Sequence, residues 1–313
     1  MTQHDFLKIQ ILFLQLIIFV LGFIFITYST AFIITQLILT ACIIWEIALL
    51  YKYTTFYKVN TIKNSEISSK KHTILSTNIY QFNTEYKRFT DLINKYNPDI
   101  FITMESNQKW DSALTELEKD YPYFQKVPLE NTYGIHLYSK LKFEKIKTHF
   151  FISNDIPSIE ANLVTEEGYK FTVFAVHPPP PSPTEESTSK ERDGELLAIA
   201  KYIKNQNFKA CIVIGDFNNV AWGKSSILFK KTSEMIDPRI GRGIISTYHA
   251  KYKLLRFPID QMFHSIEIFV QKLIALENIG SDHLPLYCEF VINYKNDEQL
   301  SQVTTLEKGD MQE

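Results

Sequence analysis

The sequence predicts an α/β domain carried behind an apolar helical hairpin. Three observations support this. Short β-rich runs alternate with helical patterns from Thr73 onward. The opening fifty residues are almost uncharged, with Glu46 the only formal charge between Ile9 and Tyr51. Two polar motifs, Gly215-Asp216-Phe217-Asn218 and Ser281-Asp282-His283-Leu284-Pro285, lie directly beside apolar runs, where buried strands end or begin.

The 313 residues are 45% hydrophobic, enough for one large domain or two ordinary ones plus an appendage. The chain has 33 basic and 35 acidic residues, a formal net charge of -2, so global attraction to nucleic acid is not indicated. Cys42, Cys211 and Cys288 lie in apolar surroundings without a CxxC pair and read as small core residues.

The apolar segment has room for two membrane spans, since roughly 20 residues cross a hydrocarbon core about 30 Å thick. Helices are expected at about 9–27 and 31–51, turning near Tyr28-Ser29-Thr30. One long tilted helix is the alternative, because no Gly or Pro marks the turn. The run is too long for a cleavable signal peptide, and no small-x-small site follows it. Glu46 lies within two turns of Lys52 and is expected to approach the interface. Lys52, Lys58, Lys63, Lys70 and Lys71 follow the run while the turn is uncharged, which favours both ends cytoplasmic.

The expected organisation is an anchor over 1–53, a linker over 54–71, a folded α/β domain over 72–294 and a disordered tail over 295–313. Within the domain, strands are predicted at Thr73–Ile79, Ile100–Met104, Gly134–Ser139, Ile159–Thr165, Phe171–Val176, Cys211–Ile214 and Leu286–Ile292. Helices are predicted at Glu85–Tyr96, stopped by Pro98, at Asn107–Lys119, capped by Ser106, and at Lys190–Lys204. In the last, Leu196, Ile199, Ala200 and Ile203 recur at helical spacing and should face a sheet. The proline cluster from Pro178 and the Gly- and Lys/Arg-bearing stretch Asp237–Lys253 read as loops.

The polar residues at strand ends are those that phosphate-ester hydrolysis needs. That reaction requires a Lewis acid, a group to align or deprotonate water, and donors for charge developing in the transition state. Glu105 can offer a hard oxygen to a divalent cation, with Asn78 as a weaker candidate. Asp216 and Asn218, two apart on an extended segment, point the same way. Asp260 offers a carboxylate to orient the imidazole of His283, and His177 follows another strand.

Taken in order, Asn78, Glu105, His177, Asp216, Asn218, Asp260, Asp282 and His283 resemble the motif series of the endonuclease/exonuclease/phosphatase superfamily over about 73–293. Gly134 to Lys140 resembles the family's central strand ending in Ser plus a basic residue. His177 followed by prolines, Gly241-Arg242-Gly243, Arg256-Phe257-Pro258-Ile259-Asp260 and Gly280-Ser281-Asp282-His283 resemble its bacterial branch with N-terminal transmembrane helices, which implies a multi-pass protein of the bacterial inner membrane. The resemblance implies a four-layer sandwich, two mainly antiparallel sheets flanked by helices. It also implies Mg²⁺ or Mn²⁺ held by Glu105 with Asn78 or Asp282. Asp216 would align or deprotonate water, Asn218 would bind phosphate, and His283, held by Asp260, would act as base or oxyanion donor. His177 would stabilise charge or assist the leaving group. His136 stands where the family carries a small or apolar residue and is read as a residue at the pocket edge.

Substrate choice stays open at this level. Eight basic residues between Lys224 and Arg256 form a basic rim suited to a nucleic-acid backbone or to anionic lipid headgroups. A nuclease, a lipid or small-molecule phosphoesterase, and a catalytically inactive membrane-tethered binding module are the three readings.

Overall fold

A computed structural model describes residues 5–58, 70–180 and 190–293. The expectations for the 59–69 part of the linker, for 181–189 and for the tail from 294 fall outside these residues. Two sheets face each other. One has six strands in the order β10-β11-β1-β2-β4-β3 and the other five in the order β5-β6-β7-β8-β9. Their ranges are β1 His72–Asn78, β2 Ile100–Met104, β3 Tyr123–Val127, β4 Ile135–Ser139, β5 Lys142–His149, β6 Ser158–Val164, β7 Lys170–Val176, β8 Cys211–Asp216, β9 Asp260–His264, β10 Ile268–Ala275 and β11 Leu286–Ile292. Helices α3 (Tyr86–Tyr96) and α4 (Gln108–Leu114) cover one outer face, and α5 (Lys190–Gln206) and α6 (Lys224–Ser233) the other. The α/β sandwich is therefore as predicted.

Strand alternation explains the layering. Ile100, Ile102 and Met104 of β2 point between the sheets, against Ile212 and Ile214 of β8, whereas Phe101 points outward to Phe89 of α3 and Trp110 of α4. Each fully buried Ile or Leu adds roughly 1.5–3 kcal/mol relative to exposure. Asn97, in the left-handed region at φ 46°, closes α3 by donating its N–H to Ile93 O at 2.7 Å, and Pro98 follows. Helix α4 is capped by Asn107 rather than Ser106, its side chain accepting from the N–H groups of Lys109 and Trp110. The remainder of the predicted 107–119 helix is a 3-10 turn over Thr115–Lys119.

Each sheet contains one parallel pair, β1 with β2 and β7 with β8, and each pair is joined by a chain segment that carries a helix, α3 or α5. All other pairs are antiparallel. The two parallel pairs bring four strand C-termini to one edge of the sandwich, where the polar motifs lie. Leu196, Ile199, Ala200 and Ile203 are buried on the second sheet as expected. So is Glu195, only 1% exposed.

Glu195 accepts a hydrogen bond from Ile152 N at 3.0 Å, yet burial pushes its carboxyl up to about 7 from 4.5. The folded state then holds this proton more tightly than the unfolded chain, so stability falls as pH rises from about 4.5 to about 7. Glu195→Gln should remove that loss, raising stability at pH 8 by about 3 kcal/mol at most and little at low pH. Urea unfolding at both ends of the range checks it.

Ahead of the sandwich, α1 (Lys8–Phe25) and α2 (Thr30–Tyr51) are 18 and 22 residues long, and each is apolar and long enough to cross a membrane. They pair as a hairpin through Phe23 against Phe32 and through Gln36 Nε2, which donates to Phe19 O at 3.4 Å. The turn needs no glycine because Ser29 caps α2, accepting from Phe32 N at 3.2 Å. Glu46 is 4% exposed on the α2 face shared with Gln36, Ile43 and Leu50, so it turns inward rather than toward an interface. The open end of the hairpin rests on the sandwich: Leu50 and Tyr53 pack with Val220, Trp222 and Ile259, and Trp222 Nε1 donates to Asp5 O at 2.7 Å.

Candidate active site

Asn78 ends β1, Glu105 follows β2, His177 follows β7 and Asp216 ends β8. Asp260 opens β9 directly across from Asp216, and His283 precedes β11. The topology thus gathers residues spread over the chain at one rim. Asn78 Nδ2 bridges the two sheets, donating to Glu105 Oε1 at 2.8 Å and to Asp216 Oδ2 at 3.3 Å. His283 Nε2 and His177 Nε2 lie 3.6 and 3.8 Å from the same Asp216 oxygen. On its other side, His283 Nδ1 meets Asp260 Oδ2 at 2.8 Å.

Local backbone geometry aims these groups. Glu105 and Asn218 both occupy the left-handed region, at φ 60° and 49°, an unfavourable conformation for residues with a Cβ and one that concentrates at functional sites. Glu105 is turned so that Oε2 accepts from Gln81 N at 3.1 Å. Asp216 Oδ1 accepts from Asn218 N at 2.8 Å, which leaves Oδ2 facing the imidazoles. The Asn218 amide donates to Pro178 O at 2.9 Å, so only its second N–H is available to a phosphate.

Asp216 and Asp260 sit opposite each other in register, an arrangement that repels unless a cation intervenes. His283 is that cation. Burial disfavours its charge, but the fields of Asp260 and Asp216, with the Asp260 hydrogen bond, raise it to about 10. Burial pushes Asp216 up to about 6 even though His283 pulls it down. The directions are compatible: the shared proton resides on the imidazole at neutral pH, and Asp216 stays ionised until the medium becomes mildly acidic. Burial lowers His177, whose Nδ1 makes no hydrogen bond among the described residues.

Glu105 is held above its usual range, first by burial and then by Asp282, with Asn78, Gln81 and His283 opposing. A carboxylate with hard oxygens and an unfavourable local field suits a divalent cation. Asn78, by contrast, turns its amide N–H toward Glu105 while its Oδ1 accepts from Tyr80 N at 3.0 Å, so the side it presents to Glu105 is a donor rather than a ligand. Asp216, Asp260 and His283 also place donor atoms within 4.8 Å of one another. Their 2.8 Å Asp260–His283 contact, however, requires a proton between the two atoms, so this trio reads as an oriented imidazole rather than as a metal cage.

Several contributors had no motif to betray them. The Tyr248 ring lies 4.9 Å from the His283 ring, Tyr133 packs 5.7 Å from His177, and buried Arg192 donates to Asn218 O at 3.0 Å. Ser281, already within a motif, ties the turn before β11 to the end of β1 in the same sheet: its hydroxyl donates to Asn78 O at 2.8 Å and accepts from His283 N at 3.0 Å. Two expectations are corrected. His136 is not at the pocket edge; it is fully buried within β4, on the same strand face as Tyr138 and opposite to the inter-sheet face of Ile135 and Leu137. Nor does a continuous basic rim form. Arg239 is buried and paired to Asp237 through two 2.7 Å contacts, Arg242 donates to Pro238 O and Val270 O, and Arg256 donates to Ala250 O.

The fold and this rim define a phosphoesterase-type α/β sandwich. The sequence profile of the Endonuclease/Exonuclease/phosphatase family matches residues 75–283, and the chain belongs to that family. No curated protein matches the sequence. Among solved structures, the endonuclease/exonuclease/phosphatase from Bacteroides vulgatus superposes with a TM-score of 0.59 at 17% identity, covering 72% of this chain and 100% of that one. The Bacteroides thetaiotaomicron mannosyl-6-phosphatase gives 0.56 at 16% identity over 71% and 100% of the two chains. D. rerio TDP2, complexed with a single-strand DNA product, gives 0.56 at 16%, covering 71% and 99%. At such identities the likeness shows the fold alone.

Proposed function

We propose that the chain is a membrane-anchored, divalent-metal-dependent phosphoesterase, with residues 1–53 as a two-span anchor and 72–294 as the catalytic domain. The observation that carries this reading is the meeting of Glu105, Asn78, Asp216, His283 and His177 at one rim, linked by contacts of 2.8 to 3.8 Å. Glu105 and Asp282 would hold Mg²⁺ or Mn²⁺, with Asn78 joining them once its amide rotates to turn Oδ1 inward, and the ion would supply Lewis-acid polarisation of a phosphoryl oxygen. Asp216, with a carboxyl near 6, accepts a proton from water as the water oxygen bonds to phosphorus and the ester P–O bond breaks. His283, kept protonated by Asp260, donates to the developing oxyanion, so the base role falls to Asp216. Neutral His177 and the second Asn218 N–H supply further donors to phosphate or to the leaving oxygen.

The substrate is a phosphodiester or phosphomonoester. The loss of Arg239, Arg242 and Arg256 to internal partners weakens the nucleic-acid reading, and the packing of the apolar hairpin beside the site favours an ester displayed at a membrane, such as a lipid headgroup. The test uses the full chain in detergent or bilayer with Mg²⁺ or Mn²⁺, offered DNA, RNA, sphingomyelin, phosphoinositides and bis-p-nitrophenyl phosphate. Chelation should abolish turnover, and Glu105→Gln should raise the Mg²⁺ concentration needed for half-activation by about tenfold or more. Metal-independent turnover, or none on any ester with folding intact, would leave a tethered binding module as the surviving reading.

A further inference from the structure

The loop from Lys251 to Arg256 presents apolar side chains outward at the place where the hairpin meets the sandwich. Leu254 is 89% exposed, with Tyr252 at 52% and Leu255 at 51%. An aliphatic tip of this kind in water needs a covering partner, and the structure indicates which one. Gln10, within the first turn of α1, donates its side-chain amide to Leu254 O at 3.0 Å. Phe6 stacks edge-on to Phe257 at 5.7 Å, and Ile9 and Leu12 belong to the same apolar cluster as Phe257, Ile259 and Trp222. The tip therefore stands at the level where the apolar run of α1 begins.

Several backbone groups of the loop are also paired within the protein. Leu255 N donates to Tyr252 O at 3.0 Å, Tyr252 N to His249 O at 3.2 Å, and the Arg256 guanidinium to Ala250 O. Leu254 O is taken by Gln10. With these groups paired inside the protein, moving the tip among headgroups costs little in lost hydration. Lys251 and Lys253, exposed on either side of Tyr252, carry cations to the same level.

We propose that Lys251–Arg256 is an interfacial wedge that inserts Leu254 and Leu255 into the headgroup region of the membrane crossed by α1 and α2, with Lys251 and Lys253 pairing with anionic lipid. The inference rests on the anchoring part of the functional reading. It adds a consequence for the site: Ala250 N donates to Asp282 O at 2.6 Å and the Tyr248 ring lies on His283, so the segment seated in the lipid surface directly continues the one that lines the catalytic rim. A phosphate ester displayed on that surface is then the class of substrate within reach.

Full-length protein carrying Cys42→Ala, which leaves only the buried Cys211 and Cys288, permits a local readout. An environment-sensitive fluorophore is placed in turn at Leu254→Cys, at Phe13→Cys on α1 and at Lys145→Cys on β5. The last position lies four strand spacings from β9, roughly 19 Å away across the sheet. Each protein is reconstituted in phosphatidylcholine discs with and without phosphatidylglycerol, and shallow doxyl-labelled lipid is added as quencher. The labels at 254 and 13 should lose about half their emission or more, as expected of a probe about 5–10 Å into the headgroup boundary, and the label at 145 should not. Quenching at 254 should deepen with phosphatidylglycerol and lose that increment when Lys251 and Lys253 are both Gln. Quenching at 13 without quenching at 254 overturns the wedge and leaves the anchor standing, whereas no quenching at 13 overturns the anchor and the wedge with it. Equal quenching in both lipids overturns the pairing with anionic headgroups.

Discussion

Replacing His283 by Ala should lower kcat on a phosphate ester by about 10³-fold while the protein stays folded, and Asp216→Asn should do comparable damage. The two losses have different origins. Asp216→Asn removes the group that accepts the water's proton, whereas His283→Ala removes an imidazolium aimed at the developing charge. The His283→Ala protein also leaves Asp216 and Asp260 opposed in register with no cation between them, which raises the Asp216 carboxyl further. Because the two residues act on one transition state, the double variant should be little worse than either single one.

The pH profile separates the roles. Asp216 acts as base only when ionised, so activity should fall as pH drops through about 6. His283 acts as donor only when protonated, so activity should fall as pH rises through about 10. Both limbs belong to the coupled set rather than to isolated groups. Asp260→Asn removes the charge that raises His283, so the alkaline limb should move toward the ordinary imidazole value of 6.5, and the acid limb should move with it because the same charge also raises Asp216. A profile whose alkaline limb does not move would assign the donor role elsewhere.

Legibility of the fold followed burial pattern. β1, β2, β4, β6, β7, β8 and β11 are runs whose side chains are largely hidden on both faces, and their continuous apolar stretches reveal them. The strands that sequence reasoning passed over differ in kind. β5 is an edge strand whose Lys142, Glu144, Lys145 and Lys147 face solvent, leaving only Phe143 and Ile146 as an apolar signal. β9 is fully buried, but Asp260, Gln261 and His264 make it read as polar because it supplies the site. Helix α6 starts from Gly223 without a side-chain cap and is rich in Lys and Ser, so no start signal marks it.

The candidate site was legible wherever a strand end coincided with a motif, and opaque wherever a contact came from a loop. Nothing in the Asp237–Lys253 stretch shows that Tyr248 lies against His283, since that contact depends on a bridge between two segments far apart in sequence. Charge counting failed for a related reason. Arg239 and Arg242 look like a rim in one dimension, but their guanidinium groups turn inward to Asp237 and to Val270 O. Composition reports how many charges a segment carries, whereas partner geometry decides whether they face a ligand.

Gly215→Ala should be among the most damaging single methyl additions in the sandwich. Gly215 pairs with Val176 across the parallel β7–β8 junction, and a Cβ there would lie 1.9 Å from Val176 O. Ordinary contact begins near 3.4 Å, so the two strands would have to part by the difference, 3.4 − 1.9 = 1.5 Å. Such overpacking against backbone should cost about 3 kcal/mol or more, a large share of a typical domain's stability. The same displacement separates His177, just after β7, from Asp216 at the end of β8, now 3.8 Å apart, and a misplacement of about 1 Å can cost roughly 10²-fold in turnover. Gly194→Ala is the counterpart, since it lies in α5 with nothing within 4 Å of the added Cβ, and should raise stability by about 0.5–1 kcal/mol. Urea unfolding of the two variants, with turnover measured below the transition, should give shifts of opposite sign and an activity loss confined to Gly215→Ala. Unchanged unfolding of Gly215→Ala would mean that the β7–β8 junction is not closed as tightly as the site requires.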